Sequence, residues 1–256
     1  MNEVSPFLSI ITVVYNNVAG LKYTYESIKR QTSTDFEWLI IDGGSTDGTN
    51  QWIAQEVSLS NVRHISEKDH GLYDAMNKGL KLAMGTYVWF VNSGDAIFSK
   101  DTIQHLIGQA NNRDVLYGET MLIDETGADI GTRSEKTTRV LPAKMTKYSM
   151  ILGMVVCHQS FIPKREIALP YELKYRFSAD IDWVISCLER AKTIHNCELI
   201  LSRYLVGGLS AQNQQTGWKE RWKIYVSHYG FVYTFFAHVF IVFRYLWKNV
   251  LFKKKL

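Results

Sequence analysis

From Phe7 to about residue 117, short apolar runs rich in β-branched and aromatic residues alternate with longer segments whose apolar positions recur at helical spacing. The runs Leu8–Val14, Phe36–Ile41, Val62–Ile65, Tyr87–Val91 and Val115–Tyr117 predict strands, and the segments near 18–31, 47–57, 71–84 and 99–110 predict helices. Strict alternation of this kind means βαβ units, hence an α/β fold with a mostly parallel sheet and helices on both faces. Ligands of such sheets bind beyond the carboxyl ends of the strands. Polar residues stand there after four of the runs: Tyr15-Asn16, Asp42-Gly43-Gly44-Ser45, Glu67-Lys68-Asp69 and Asn92-Ser93-Gly94-Asp95.

Beyond residue 117 the alternation stops. Met121–Arg133 reads as a hairpin around Asp124-Glu125-Thr126-Gly127, Phe161–Pro163 and Leu199–Val206 as strands, and Asp180–Arg190 as a helix. The stretch Val226–Phe243 holds no acidic residue, lysine or arginine and is dense in aromatics; Arg244, Lys248 and Lys253-Lys254-Lys255 follow it. Projected as one helix, Lys223, Ser227, Gly230, Thr234, His238, Arg244 and Lys248 share a narrow stripe, with apolar residues around most of the rest. A broad apolar face beside a basic stripe predicts a helix lying in a membrane interface. A helix docked on the catalytic domain or on a partner, and a single spanning helix, are the alternatives.

Composition narrows the class. At 256 residues, 46% hydrophobic and 21% charged, the chain is an ordinary globular protein rather than a disordered one. Cys157, Cys187 and Cys197 are too few and too scattered for a disulfide framework or a zinc site, which favours a reducing, cytoplasmic setting. The first apolar run is too short for a signal peptide or a spanning helix. A net charge of +4, with three of its lysines at the C-terminus, gives no reason to expect nucleic-acid binding.

Asp42 at a strand end can accept a hydrogen bond from a base or ribose, the glycines after it permit close backbone approach, and Asp47 suits a helix cap. No G-x-G-x-x-G and no Gly-Lys-Ser/Thr occurs, against dinucleotide and P-loop readings. Ser9–Asn16, the Asp42 turn, Gly71–Gly79, Asn92–Asp95 and Ala179-Asp180, in that order, resemble the motif set of the family-2 inverting glycosyltransferases of GT-A fold, in particular the bacterial extracellular-polysaccharide branch. The likeness spans roughly residues 8–210.

The resemblance implies a donor site in which the backbone of Val13 and the ring of Tyr15 line the nucleobase pocket and Asp42 binds the base, with Asn16 and Asn77 beside them. A stacking face and a carboxylate acceptor suit uracil, so a UDP-sugar is the expected donor. Asp95, helped by the Asn92 amide oxygen, would hold a divalent cation, Mn²⁺ or Mg²⁺, against the leaving diphosphate. Asp180 would be the catalytic base, Asp182 a supporting or acceptor-facing group, and His158-Gln159 the acceptor-side wall. The chain departs from the family pattern at Met76 (often Arg), at Asn92–Asp95 (one carboxylate where Asp-x-Asp is usual) and at Ala179 (usually Glu). Trp218-Lys219-Glu220-Arg221-Trp222 keeps only the Arg-Trp of the processive Gln-x-x-Arg-Trp motif, which implies one sugar per cycle. Gly207–Ser210 resembles a loop closing over the donor.

The expected organisation is a GT-A domain over 1–215, with a nucleotide-sugar half to about 117 and an acceptor half from about 118, followed by a membrane-associating segment over 216–256. The expected partner is a glycan or lipid-linked acceptor at the inner face of the cell membrane. A sugar nucleotidyltransferase and a catalytically silent, nucleotide-binding scaffold are the rival readings.

Overall fold

The computed structural model describes residues 5–206 and 214–252. Strands β1 (Leu8–Val14), β2 (Phe36–Asp42), β3 (Val62–Ser66) and β4 (Tyr87–Phe90) form a parallel sheet in the order β3-β2-β1-β4. Helices α1 (Val18–Lys29), α2 (Thr49–Glu56), α3 (Leu72–Leu82) and α4 (Thr102–Ala110) fall between and after these strands, as the alternation predicts. Because side chains alternate along a strand, β1 and β2 feed two cores. Ile10, Trp38, Ile40 and Trp89 pack on α1 and α4 through Leu21, Tyr25, Ile28, Ile103 and Leu106. Ile11, Val13, Leu39, Ile41 and Phe90 pack on α3 through Tyr73, Met76 and Leu80. Strands buried on both faces need near-continuous apolar sequence, and β1, β2 and β4 are buried at every position. α3 lies so close to β1 that a Cβ on Gly79 would meet Ile11 Cγ2 at 2.4 Å.

The second half forms a mixed sheet centred on β6 (Val115–Ile123). β7 (Asp129–Thr132) and β8 (Phe161–Pro163) pair with it antiparallel and β9 (Ile194–Leu205) parallel, while the two-residue β5 (Ala96–Ile97) borders β9. A bridge between Tyr87 and Lys164 joins the two sheets. The hairpin expected at Asp124–Gly127 forms: Asp124 accepts from the Thr126 and Ala128 N–H groups, and Gly127 takes φ +83. A short α5 (Arg133–Lys136) follows, closed by a Thr132/Glu135 capping box. α6 spans Ala179–Arg190. β6 and β9 are both longer than the apolar pattern suggests, because Gly118-Glu119 in β6 and Asn196 and Glu198 in β9 interrupt the periodicity at a register shift where Glu198 adopts φ +55.

The C-terminal segment departs from the single helix expected. Two helices, α7 (Gln214–Tyr229) and α8 (Phe231–Phe252), are separated by Gly230 at φ +79, a conformation favouring glycine. The shared polar stripe is corrected accordingly: Thr234 and Ala237 are buried, and the His238 ring lies 4.9 Å from Trp222 and 5.7 Å from Tyr225 of α7. The small and polar face of α8 turns inward, and Phe231, Tyr233, Phe235, Phe236, Phe240 and Phe243 turn outward. Among the described residues no helix is long and apolar enough to cross a membrane. Gly207–Ser210 lies outside the described residues.

Candidate active site

The loops after β1, β2 and β4 lock together at the carboxyl edge of the parallel sheet. Asn16, in the left-handed region at φ +47, receives the Thr46 N–H on Oδ1 and donates its own N–H to Ser45 Oγ. Asp47 accepts from the Val18 N–H at the start of α1 and from Thr49 at the start of α2, so one carboxylate ties two helix N-termini. Asn17 caps α1 through Gly20 N–H and reaches Ser93 O. This frame leaves the Tyr15 side chain 67% exposed beside Gly43, an open aromatic face at the carboxyl edge of the sheet. Val13, one turn of the pleat behind, is buried, and its carbonyl accepts from Ser93 N–H.

Asp42 is fully buried. Its carboxylate accepts from Ser45 N–H, Asn50 Nδ2 (2.9 Å) and Ser66 Oγ (2.6 Å). Burial alone would raise its pKa, but Ser45, Ser66 and Asn50 outweigh it and hold the group below the usual carboxylate range. The structure thus makes Asp42 the ionised hub of the β2 turn, and the Asn50 Oδ1 behind it has no partner. Asn77 forms a two-way pair with the backbone of Tyr171, and Met76 is core packing on α3.

Asp95 sits at the β4 edge, buried, accepting from Gln159 Nε2 at 3.1 Å. Burial pushes its pKa up to about 7 against that hydrogen bond. Its N–H closes a turn onto the Asn92 carbonyl, and the Asn92 side-chain Oδ1 is buried without a hydrogen-bond partner. A carboxylate that burial disfavours as an anion, one turn after a residue whose amide oxygen is buried without a partner, supplies the donor types a hard divalent cation takes. No cluster of three or more His, Cys, Asp or Glu occurs among the described residues, so phosphate oxygens and water would complete such a shell.

Asp180 lies in the first turn of α6, whose dipole favours a carboxylate. Burial raises its pKa, against the Tyr73 hydroxyl, the Ile181 N–H and the Arg221 charge. Tyr73, buried on α3, donates to Asp180 Oδ1 at 3.2 Å and so connects the two halves of the molecule. Beside it opens a cavity of about 230 Å³ lined by His70, Tyr73, Asp74, Leu173, Tyr175 and Phe177. The loop entering α6 is held by α7: the Glu220 carboxylate accepts the Arg176 and Phe177 N–H groups at 2.7 and 2.9 Å, and Ser178 Oγ donates to Gly217 O.

The three anticipated acceptor-side residues lie elsewhere. His158 is enclosed by Phe90, Tyr171 and Trp183, paired with the Tyr171 hydroxyl, and burial drives its pKa down to about 3, so it is a neutral core histidine rather than an acceptor-facing wall. Asp182, two residues after Asp180, points to His228 of α7 at 3.0 Å and fastens α7 to α6. Gln159 belongs to Asp95. Tyr73, Glu220 and Arg221 join the site residues expected from sequence; the signals that mark them are Gly71–Gly79 for Tyr73 and the Arg221-Trp222 pair for the other two.

Residues 9–168 match the family model described as glycosyl transferase family 2. A PGL/p-HBAD biosynthesis glycosyltransferase of Mycobacterium bovis (strain BCG / Pasteur 1173P2) is 30% identical over 217 residues, covering 80% of either chain. TarS of S. aureus, solved in complex with UDP, aligns with a TM-score of 0.66 at 20% identity, over 86% of this chain and 64% of its own. The mannosyltransferase PcManGT of Pyrobaculum calidifontis, solved with GDP-Man and Mn²⁺, aligns with a TM-score of 0.61 at 16% identity, over 88% of this chain and 64% of its own. This chain spans less than two thirds of either solved chain, and these two likenesses establish the fold.

Proposed function

The chain belongs to glycosyl transferase family 2 and is a glycosyltransferase, and on that premise we propose that it inverts configuration, transferring one sugar per cycle from a UDP-sugar to a lipid-linked glycan acceptor in cell-surface polysaccharide assembly. The observation that carries this reading is that Asp95 at the sheet edge and Asp180 at the start of α6 both act on one residue, Tyr204, whose pKa burial and then their charges push up to about 12. Exposed Tyr15 and buried Asp95 stand at the carboxyl edge of the parallel sheet, and Asp180, at the start of α6, is held by Tyr73 of α3.

At that edge Tyr15 stacks on the nucleobase, and the ionised Asp42 keeps the turn beside it in shape. Asp95 and Asn92 Oδ1 would hold a divalent cation, which supplies positive charge to the departing diphosphate. Asp180 takes the proton of the acceptor hydroxyl as that oxygen bonds to the anomeric carbon from the face opposite the leaving group. The bond between that carbon and the diphosphate oxygen breaks, and its electron pair leaves with the nucleoside diphosphate. A pKa above the ordinary aspartate range makes Asp180 a better proton acceptor than an exposed carboxylate.

The outward aromatic face of α8, followed in sequence by Arg244, Lys248 and three terminal lysines, suits the interface of an anionic membrane. Seating the enzyme at the cytoplasmic surface raises the effective concentration of a lipid-linked acceptor. The test is product analysis. The protein is incubated with UDP- and GDP-sugars and a polyprenyl diphosphate-linked acceptor, and the new linkage is read by NMR. Inverted configuration, with Asp180→Asn abolishing turnover but still binding nucleotide, is expected. Retained configuration, or undiminished turnover in Asp180→Asn, contradicts the assignment.

A further inference from the structure

Three arginines of the second half, Arg133, Arg139 and Arg221, lie close enough for their charges to act on one another, and Arg221 also acts on Asp180. Arg133, on α5, is buried and donates its guanidinium to the carbonyls of Met154 and Val155. Arg139, six residues on, lays its guanidinium against the same stretch: a Cβ on Gly153 would lie 3.3 Å from Arg139 Nε. Arg221, on α7, brings Nη2 within 3.9 Å of a Cβ placed on Gly217, next to Ser178 at the start of α6. Its Nε is buried and has no hydrogen-bond partner. None of the three stands in a salt bridge among the described residues. Burial, and then repulsion from Arg133 and Arg221, pulls the Arg139 pKa below the ordinary arginine value. Three like charges, one buried and two half-buried, gathered near a single carboxylate are unfavourable unless a further anion joins them.

We propose that Arg133, Arg139 and Arg221 form the binding site for the phosphate group that links the acceptor glycan to its lipid, so that the acceptor is a lipid-phosphate- or lipid-diphosphate-linked glycan rather than a neutral one. The inference rests on the transferase reading of the same site. Planar guanidinium forks match phosphate oxygens, and three of them match a diphosphate. The donor also carries a diphosphate, but the placement favours the acceptor. All three arginines come from the second half of the chain, while the nucleotide face is built at the edge of the parallel sheet. Arg221 adjoins the loop that delivers Asp180, where the acceptor hydroxyl must lie. It is also nine residues before Gly230, about 14 Å along a helix from the start of the exposed aromatic face of α8. A phosphate held there would have its lipid tail directed toward the surface that α8 offers to the membrane.

The experiment titrates the full chain, in neutral detergent micelles, with farnesyl diphosphate and with farnesol, following tryptophan fluorescence; UDP is titrated separately by calorimetry. Farnesyl diphosphate is expected to bind at least tenfold more tightly than farnesol. Arg139→Gln and Arg221→Gln are each expected to weaken the diphosphate about tenfold while leaving farnesol and UDP affinities within twofold, and Arg221→Lys to restore part of the loss. Saturating UDP with Mn²⁺ should leave farnesyl diphosphate bound. Equal affinity for the diphosphate and the alcohol would overturn the proposal. So would displacement by UDP with a parallel loss of UDP affinity in both variants, which would assign the arginines to the donor. The UDP titration reports on the donor site by itself, so that site and the phosphate site can fail independently.

Discussion

Replacing Tyr73 by Phe removes one oxygen from the interior and, with it, the hydrogen bond to Asp180 Oδ1 at 3.2 Å. The ring keeps its place, stacked on Tyr171 at 5.4 Å between centroids, so the two halves of the molecule stay in register. A hydrogen bond to a charged group is worth about 1.5–3 kcal/mol. It favours the ionised form of Asp180, whose pKa burial already holds above the ordinary value. Losing it therefore raises that pKa further, by about one to two pH units at 1.36 kcal/mol per unit. A base works deprotonated, so the rate falls as pH drops through its pKa, and the acid limb of the kcat/KM profile should move upward by that amount in Tyr73→Phe. The alkaline plateau should drop by less than tenfold, because the nucleophile and the leaving group are untouched. Coincident acid limbs for the wild type and Tyr73→Phe would refute the reasoning, since either Asp180 is not the titrating base or Tyr73 does not tune it.

Three further outcomes follow from other parts of the structure. His228 is held between Asp182 and Glu189; burial lowers its pKa, but these partners outweigh it and raise the value, so its contribution is complete below about pH 6.5 and fades as pH climbs through the raised folded value. His228→Gln should therefore lower Tm more at pH 6 than at pH 9 in thermal scans, and an equal gap at both would show that this latch carries no charge. Gly79→Ala drives a methyl into Ile11 and should cost about 1–3 kcal/mol in denaturant unfolding; an unchanged midpoint would mean that α3 can lift off β1 freely. Substituting Phe235, Phe236 and Phe240 by Ser should release the protein from phosphatidylglycerol-containing vesicles in flotation assays while leaving its Tm intact. Persistent flotation would move the membrane contact away from α8.

The first half of the fold was readable because β1, β2 and β4 are buried on both faces and leave uninterrupted apolar runs, while Gly and Asp punctuate their ends. β5 is two residues long and leaves no period to detect, and α7 distributes its apolar residues around the helix, with Ile224, Tyr225 and Tyr229 buried among charged neighbours. The α8 pattern was visible, but its sense was not. Only the break at Gly230 turns Thr234 toward α7 and the phenylalanines outward. In the site, residues at strand ends were legible one by one. Pairs distant in sequence were not: Tyr73 with Asp180, and Glu220 with the Arg176–Phe177 backbone, meet only through tertiary packing. His158 shows the converse, a polar residue whose sequence position suggested a wall of the site and whose aromatic neighbours make it core.

The donor cleft is tested most directly by calorimetric titration of UDP and GDP into the wild type, Tyr15→Ala and Asp95→Asn, each with and without Mn²⁺. Tyr15 is exposed, so its removal should leave the fold intact while cutting affinity for the preferred nucleotide about tenfold, in keeping with about 1–3 kcal/mol for a stacked base. Asp95→Asn should abolish the enhancement by Mn²⁺. Binding of one nucleotide with those two losses is the result this account requires; nucleotide affinity unchanged in both variants, or no binding of either nucleotide to the wild type, would contradict it.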